Sequence, residues 1–137
     1  MTDVASILDT LPQESFLRIR IHTVRVVIEQ RAADSYSKVS GQPPRQSNIS
    51  AKLLSLLPHD RSTGWADALA VIHLAQYCYR RTSDVLHGRS TLVGVTPAMV
   101  DEWEEIATKL EELYRMRFAS GVERQGRTES STFGTEL

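Results

Sequence analysis

Apolar residues recur along this chain at intervals of three and four, the spacing that places them on one side of an α-helix. The clearest case is segment 12–40, whose main apolar positions are Leu17, Ile21, Val24 and Ile28. Pro12 is tolerated in a first helical turn, and Gly41 followed by two prolines prevents the helix from continuing. The pattern therefore predicts a long first helix from about Pro12 to Ser40.

A short second helix is predicted before Pro58. Ser47 or Asn48 supplies a capping side chain at its start, and its apolar residues are Ile49, Leu53, Leu56 and Leu57. Proline disfavours the helical conformation of the residue before it. We therefore expect the helix to end at Leu57, with that residue extended.

The third helix is expected to run from a cap at Ser62 or Thr63 to about His87, with Gly88 as the C-terminal cap. The side of this helix predicted to face the core comprises Trp65, Ala68, Leu69, Ile72, Ala75, Tyr79 and Leu86. Cys78 is expected to be a packed thiol.

A fourth helix is predicted to start at Thr96, because a capping hydroxyl followed by Pro97 at the first helical position is a strong start signal. Val95 and Val100 are placed to form a hydrophobic staple across it. The residues expected to face the core are Met99, Trp103, Ile106, Leu110 and Leu113, and the helix is expected to end at about Phe118.

These elements predict an all-α fold, a bundle of four to five helices. Residues 1–118 are expected to form a single domain. Residues 119–137 contain few large apolar side chains, so we expect a disordered C-terminal tail.

Composition narrows the class of protein. The chain has 137 residues and one cysteine, which excludes an intramolecular disulfide framework and a multi-cysteine zinc cluster. No apolar run reaches the roughly 18 residues of a membrane span, and the first residues do not resemble a secretory signal, so we expect a cytoplasmic protein. The formal net charge of −1 indicates that any nucleic acid would meet a local patch.

A polar stripe on the third helix carries the candidate chemistry: His73, Tyr77, Arg80, Asp84 and His87. His87 can exchange a proton near neutral pH, and an arginine can bind phosphate oxygens with a fork of donors. Asp84 is placed to orient the imidazole of His87. Such a set can cleave RNA without metal, because the substrate's 2′-hydroxyl is the nucleophile. An exposed Arg–Asp pair and a histidine favoured by the helix dipole would explain the same residues structurally.

Segment 80–88 resembles the signature of HEPN domains, which are all-helical modules. The family's motif is an arginine separated by four to six residues from a histidine near a helix end, and Arg80 and Arg81 precede His87 by six and five intervening residues. The sequence Leu86-His87-Gly88 is similar to the family's usual ending. The resemblance implies a homodimer whose paired arginines and histidines line one cleft. It also implies a metal-independent ribonuclease, as in many toxins and defence effectors.

Geometry favours one of the two arginines. On a regular helix Arg80 points within about 20° of His87, whereas Arg81 is rotated away by about 120°. Active family members commonly carry a polar Asn, Asp or His after the arginine, but here Arg80 is followed by Arg81 and Arg81 by Thr82. Because its direction on the helix is closer to that of His87, Arg80 is the first candidate for the phosphate ligand, and Arg81 is the second.

Weaker candidates for RNA contacts are Arg18, His22 and Arg25 on the first helix, together with Tyr77 and Arg89. A solvated helix face would explain the first three residues, and aromatic packing would explain Tyr77. The sequence contains no HExxH motif, P-loop or dinucleotide fingerprint, so we expect no metal or nucleotide cofactor.

The leading functional hypothesis is a homodimeric, HEPN-type, metal-independent endoribonuclease acting as a toxin or defence effector. The alternative is a non-catalytic HEPN-like module. That module would use the same surface to dimerise or to bind a partner, such as a nucleotidyltransferase-type antitoxin or a larger defence protein. A third interpretation is a plain four-helix scaffold in which the motif is accidental.

Overall fold

The computed structural model describes residues 13–61, 64–87 and 94–136, and it describes side chains for 15–61, 64–87 and 94–118. The secondary structure of these residues consists of helices and their connecting segments, and there is no strand among them. The elements are α1 (Gln13–Ser40), α2 (Ile49–Lys52), a 3-10 helix (Leu53–Leu56), α3 (Trp65–Leu86) and α4 (Pro97–Glu136). The predicted all-α bundle is confirmed over this part of the chain.

Helices α1 and α4 pack side by side in parallel. Near the start of both helices, Nε of Arg20 donates a hydrogen bond to Glu104 at 3.1 Å, and the same guanidinium pairs with Asp101. Near the end of α1, Nζ of Lys38 lies 5.0 Å from the centre of the Phe118 ring. Contacts that advance together along both helices require a parallel arrangement.

Helix α3 runs antiparallel to α1. Arg25 of α1 contacts His87 at the end of α3, whereas Glu29, one turn further along α1, contacts the earlier Tyr79. The long helices therefore alternate in direction. The short α2 and the 3-10 helix join α1 to α3. The 3-10 helix packs against both long helices, and α2 packs against α1.

The core lies between the three long helices. All four apolar positions predicted for α1 are buried, as are Ile49, Leu53 and Leu56 of the predicted second helix. That second helix is divided into a single α-turn and a 3-10 turn. Leu57 is extended, with φ −66° and ψ 139°, as expected before proline.

The buried side of α3 differs in part from the prediction. Ala68, Ile72 and Ala75 are buried as expected, but Trp65, Leu69, Tyr79 and Leu86 are only half-buried. Cys78, Thr82 and Val85 are buried in addition. Burial of Thr82 is possible because its hydroxyl donates to the carbonyl of Tyr79 at 2.9 Å, so the polar group is satisfied within the helix.

The predicted start of α4 is confirmed. The backbone N–H of Met99 donates to Oγ1 of Thr96 at 3.2 Å, which caps the helix. Val95 and Val100 are both buried, consistent with the expected staple. In the rest of α4, Trp103 and Leu110 are buried, whereas Met99, Ile106 and Leu113 are half-buried.

Two other helix starts differ from prediction. Asn48 is the N-cap of α2, but its backbone is left-handed (φ 54°) and its side chain makes no capping hydrogen bond. The N-cap of α3 is Gly64, whose φ of 97° suits glycine. The predicted caps Ser62 and Thr63, and the predicted C-terminal cap Gly88, lie outside the described residues.

Helix α4 extends to Glu136, beyond the predicted end at Phe118. Segment 119–136 contains no proline, so no residue in it lacks the N–H that continues a helix. Side chains after Phe118 lie outside the described part of the chain. The expected disordered tail and the domain boundary at 118 therefore stay predictions.

Candidate functional site

The contact between α1 and the end of α3 brings together four polar side chains. Nη1 of Arg25 lies 3.3 Å from Nε2 of His87, and Nη2 donates to the Tyr79 hydroxyl at 3.3 Å. Nε of Arg25 donates to Oε1 of Glu29 at 2.7 Å, and the Tyr79 hydroxyl donates to the same oxygen at 3.3 Å. The guanidinium is thus held at all three of its nitrogens.

Arg25 is shielded while His87 is open to solvent. The side chains of Arg25 and Glu29 are 18% and 17% exposed, and the guanidinium carbon lies 5.1 Å from the centre of the Tyr79 ring. Burial, the largest influence, lowers the pKa of Arg25. Its hydrogen bonds and charge interactions with Glu29 and Tyr79 together raise that pKa above its ordinary value. Arg25 is therefore a fixed cation beside an accessible imidazole.

His87 is the C-cap residue of α3, with φ −89° and ψ 5°, and its N–H donates to the carbonyl of Ser83 at 2.9 Å. An arginine N–H can only donate, so the contact with Arg25 places the lone pair of His87 on Nε2. This assigns the neutral ring proton to Nδ1. The arrangement therefore presents a proton acceptor next to a cation.

The motif arginines have different surroundings. Arg80 is exposed, and α3 is regular through Leu86, so Arg80 lies on nearly the same face as His87, about 10.5 Å earlier along the helix axis. Arg81 is half-buried; its Nε is buried and has no hydrogen-bond partner among the described residues. Asp84 is half-buried, one turn before His87.

Three of the weaker candidates are exposed. Arg18 and His22 are exposed on α1, on the turns that precede Arg25. Tyr77 is 49% exposed on α3. Arg89 lies outside the described residues. The structure therefore joins Arg25, predicted only as a weak RNA contact, to the motif histidine.

Sequence reasoning missed the roles of Glu29 and Tyr79. Glu29 is not among the predicted site residues, and the apolar pattern of the third helix places Tyr79 in the core. The spacing of Arg25 and Glu29, four residues apart on one helix, was a usable signal for an ion pair. No sequence pattern connects either residue with Tyr79, because that contact depends on how α1 meets α3.

Other surfaces offer less chemistry. In the described part of the chain, no three His, Cys, Asp or Glu residues are grouped so that they could hold a metal ion. A shallow groove of about 250 Å³ between α3 and α4 is lined by Leu74, Glu102, Glu105, Ile106 and Lys109. Among the described helices, none combines the length and the apolar character needed to span a membrane.

Comparisons with known proteins give no further assignment. No family model, no curated protein and no solved structure matches this chain. The candidate site therefore rests on the chemistry and the geometry of Arg25, Glu29, Tyr79 and His87, with Arg80 on the adjacent helix face.

Proposed function

We propose that this chain is a metal-independent endoribonuclease of the HEPN type that works as a homodimer and serves as a toxin or defence effector. The observation that carries the proposal is the contact between exposed His87 and the fixed guanidinium of Arg25. It combines a proton acceptor with a cation at the end of the helix that also carries Arg80. These are the groups that cleavage of RNA by its own 2′-hydroxyl requires.

The reaction divides the work between proton transfer and charge stabilisation. Nε2 of His87 releases the N–H of Arg25 and takes the proton from the 2′-hydroxyl, whose oxygen attacks the adjacent phosphorus. The bond to the 5′-oxygen breaks, and the protonated His87 returns its proton to that oxygen. Arg80 binds the non-bridging phosphate oxygens, where negative charge increases. The products are a 2′,3′-cyclic phosphate and a 5′-hydroxyl.

The RNA strand is proposed to follow α1 away from the site. Because α3 ends beside Arg25, the earlier part of α1, with exposed His22 and Arg18, continues past the end of α3. A positively charged or polar helix face suits a phosphate backbone. Tyr77 supplies an exposed ring on which a base can stack.

The test is RNA cleavage by purified protein in the presence of a metal chelator. We expect wild-type protein to produce ends with a 2′,3′-cyclic phosphate, and His87→Ala to lose at least about 100-fold in rate, the scale of a lost acid–base group. His59→Ala, at an exposed histidine on the loop after the 3-10 helix, is the control and should retain activity. Equal rates for wild type and His87→Ala would refute the proposal.

The homodimer can be tested with two inactive variants. Mixing His87→Ala with Arg80→Ala should restore measurable cleavage if one cleft takes residues from both copies. Each variant alone should stay inactive. A mixture that forms mixed dimers yet stays inactive would contradict the shared cleft.

A non-catalytic module is the second candidate function. It is favoured by exposed apolar side chains on α3, since Leu74 is 42% and Tyr77 49% exposed. Such residues suit docking of a second copy, an antitoxin or a larger defence protein. Growth arrest on expression that His87→Ala abolishes would support the enzyme. Harmless expression of the wild type, without RNA cleavage, would support the module.

A further inference from the structure

The environment of Arg25 is more elaborate than an exposed RNA contact requires. Its guanidinium contacts a carboxylate, a phenol and an imidazole that come from two helices. Glu29 and Tyr79 also hydrogen-bond to each other, so the two groups that hold the guanidinium fix one another. Ordering a long arginine side chain costs conformational entropy, and these contacts offset that cost before any ligand binds.

Some N–H groups of Arg25 bond to neighbouring side chains, and the others are left for a ligand. The guanidinium has five N–H groups. Nε and Nη2 use one each on Glu29 and Tyr79, and Nη1 uses one on His87. Among the described residues, this leaves one N–H on Nη1 and one on Nη2. Two adjacent N–H groups in one plane match two oxygens of a phosphate group.

We infer that Arg25 and His87 form a phosphate-binding site across α1 and α3, and that Glu29 and Tyr79 are the positioning residues that hold its guanidinium. Oxygens of the ligand occupy the Nη1–Nη2 edge of Arg25, beside Nε2 of His87. When the phosphate binds, protonation of Nε2 replaces its hydrogen bond from Arg25, and the protonated His87 donates to the same phosphate. Helix α1 thereby supplies a cation to the site that the motif on α3 does not contain.

This inference rests on the proposed function for the identity of the ligand, which is the phosphodiester of RNA. The binding itself is independent of cleavage. A chain that binds phosphate without cleaving RNA would retain this site and lose the proposed activity. Conversely, a ribonuclease that uses only Arg80 and His87 would retain the activity and lose this site.

The experiment follows the imidazole resonances of His87 by NMR. Full-length protein is titrated with inorganic phosphate and, separately, with a 2′-O-methyl RNA oligonucleotide that cannot be cleaved. We expect saturable shifts in His87 with both probes, and tighter binding of the oligonucleotide, because it extends along Arg18 and His22. Shifts with inorganic phosphate alone would contradict RNA as the ligand.

Variants separate the charge of Arg25 from its position. Arg25→Met should weaken phosphate binding about tenfold or more, the effect of losing a charge-assisted contact, whereas Arg115→Met on the exposed face of α4 should not change it. Tyr79→Phe keeps the ring and removes the hydroxyl, so it should weaken binding about threefold. Tyr36→Phe is the matched control at an exposed tyrosine and should have no effect.

Several results would overturn the inference. If phosphate does not shift the His87 resonances of the wild-type protein, the site does not exist. If Arg25→Met binds phosphate as tightly as the wild type, Arg25 is not part of the site. Equal binding in Tyr79→Phe and Tyr36→Phe refutes the positioning role. If Arg25→Met does not fold, Arg25→Lys replaces it: this variant keeps the charge and loses the fork, so unchanged binding shows that the geometry held by Glu29 and Tyr79 is irrelevant.

RNA cleavage by the same variants keeps the two proposals apart. Loss of cleavage in His87→Ala, with full cleavage and unchanged phosphate binding in Arg25→Met, supports the ribonuclease and refutes the phosphate site. Phosphate binding that depends on Arg25, in protein that never cleaves RNA, refutes the ribonuclease and leaves the site in place.

Discussion

Nη1 of Arg25 and Nε2 of His87 lie 3.3 Å apart, although 62 positions separate the residues in the chain. The contact joins the middle of α1 to the C-cap of α3. It places a fixed cation against His87, the histidine that the spacing on the third helix singles out. The surroundings of His87 therefore depend on α1 as well as on α3.

The two motif arginines should differ in their effect on RNA cleavage. Arg80 is exposed on the face of His87, whereas Arg81 is half-buried and rotated away. We expect Arg80→Ala to lower the rate about 100-fold or more, as loss of a transition-state donor does, and Arg81→Ala to lower it less than about tenfold. The measurement is the rate at which each folded variant cleaves the same single-stranded RNA. A larger loss in Arg81→Ala would identify that residue as the phosphate ligand.

The thiol of Cys78 should be unreactive in the folded protein. Cys78 is fully buried, and burial raises the pKa of its thiol from 9.0 to about 12. Iodoacetamide labelling at about pH 8 should therefore be slow in native protein and fast in urea, because the thiolate is the nucleophile. Rapid labelling of native protein would contradict the buried position.

The same shift predicts a dependence of stability on pH. Since the folded state holds the proton more tightly, the contribution of this thiol is complete below the unfolded value of 9.0 and decreases as pH rises towards about 12. Wild-type protein should lose more stability across that window than Cys78→Ala, by at most about 1.4 kcal/mol per pH unit. Urea unfolding at a series of pH values measures the difference. Parallel curves for the two proteins would contradict it.

Arg20 should stabilise the contact between α1 and α4. Its side chain is 21% exposed and pairs with Asp101 and Glu104, and these partners raise the pKa of Arg20. We expect Arg20→Met to lower the free energy of unfolding by about 1 kcal/mol, the upper range for an ion pair near the surface. The loss should shrink at about 1 M NaCl, where exposed charges are screened.

Lys109→Met is the control for that prediction. Lys109 is 49% exposed and lies 3.8 Å from Glu105 within α4, so the variant should change stability by less than about 0.5 kcal/mol. An equal loss in both variants would show that the network around Arg20 adds nothing to an ordinary surface pair. Urea unfolding at one fixed protein concentration provides both values.

The cap of α4 can be tested through one hydroxyl. Thr96→Ala removes the acceptor for the N–H of Met99 and should cost about 1 kcal/mol of stability, whereas Thr96→Ser should retain most of it. The control is Thr108→Ala within α4, where the exposed hydroxyl bonds to the carbonyl of Glu104 and alanine is the better helix former. Destabilisation of the two alanine variants to the same extent would contradict a capping role.

The predicted helices agree with the structure where short-range signals are strong. Thr96 followed by Pro97 marks the start of α4, and the apolar spacing of α1 identifies its buried side correctly. Prediction and structure agree less well where the burial or the backbone conformation of a residue depends on more than apolar spacing. Thr82 was not predicted as buried, because the apolar pattern treats threonine as polar, although its hydroxyl bonds to a carbonyl of its own helix. The left-handed Asn48 reflects the loop that joins α1 to α2, which apolar spacing does not encode.

Individual residues of the candidate site could be predicted from the sequence, but their arrangement in space could not. His87 and Arg80 follow from the spacing of the motif, and Arg25 from a cationic stripe on the first helix. Their arrangement depends on the rotation of α1 against α3, to which contacts all along both helices contribute. Glu29 and Tyr79 enter the site only through that packing, because each bonds to Arg25 and to the other.

By itself the sequence determined the helices, because a helix depends on hydrogen bonds and side-chain contacts within about four positions. It also determined which side chains are available for acid–base chemistry and phosphate binding, namely a histidine and arginines. Tertiary structure alone decided that Arg25 faces His87 and that Glu29 and Tyr79 hold it there. Pairings between distant positions follow from how the buried sides of α1, α3 and α4 fit together, and local spacing does not specify that fit.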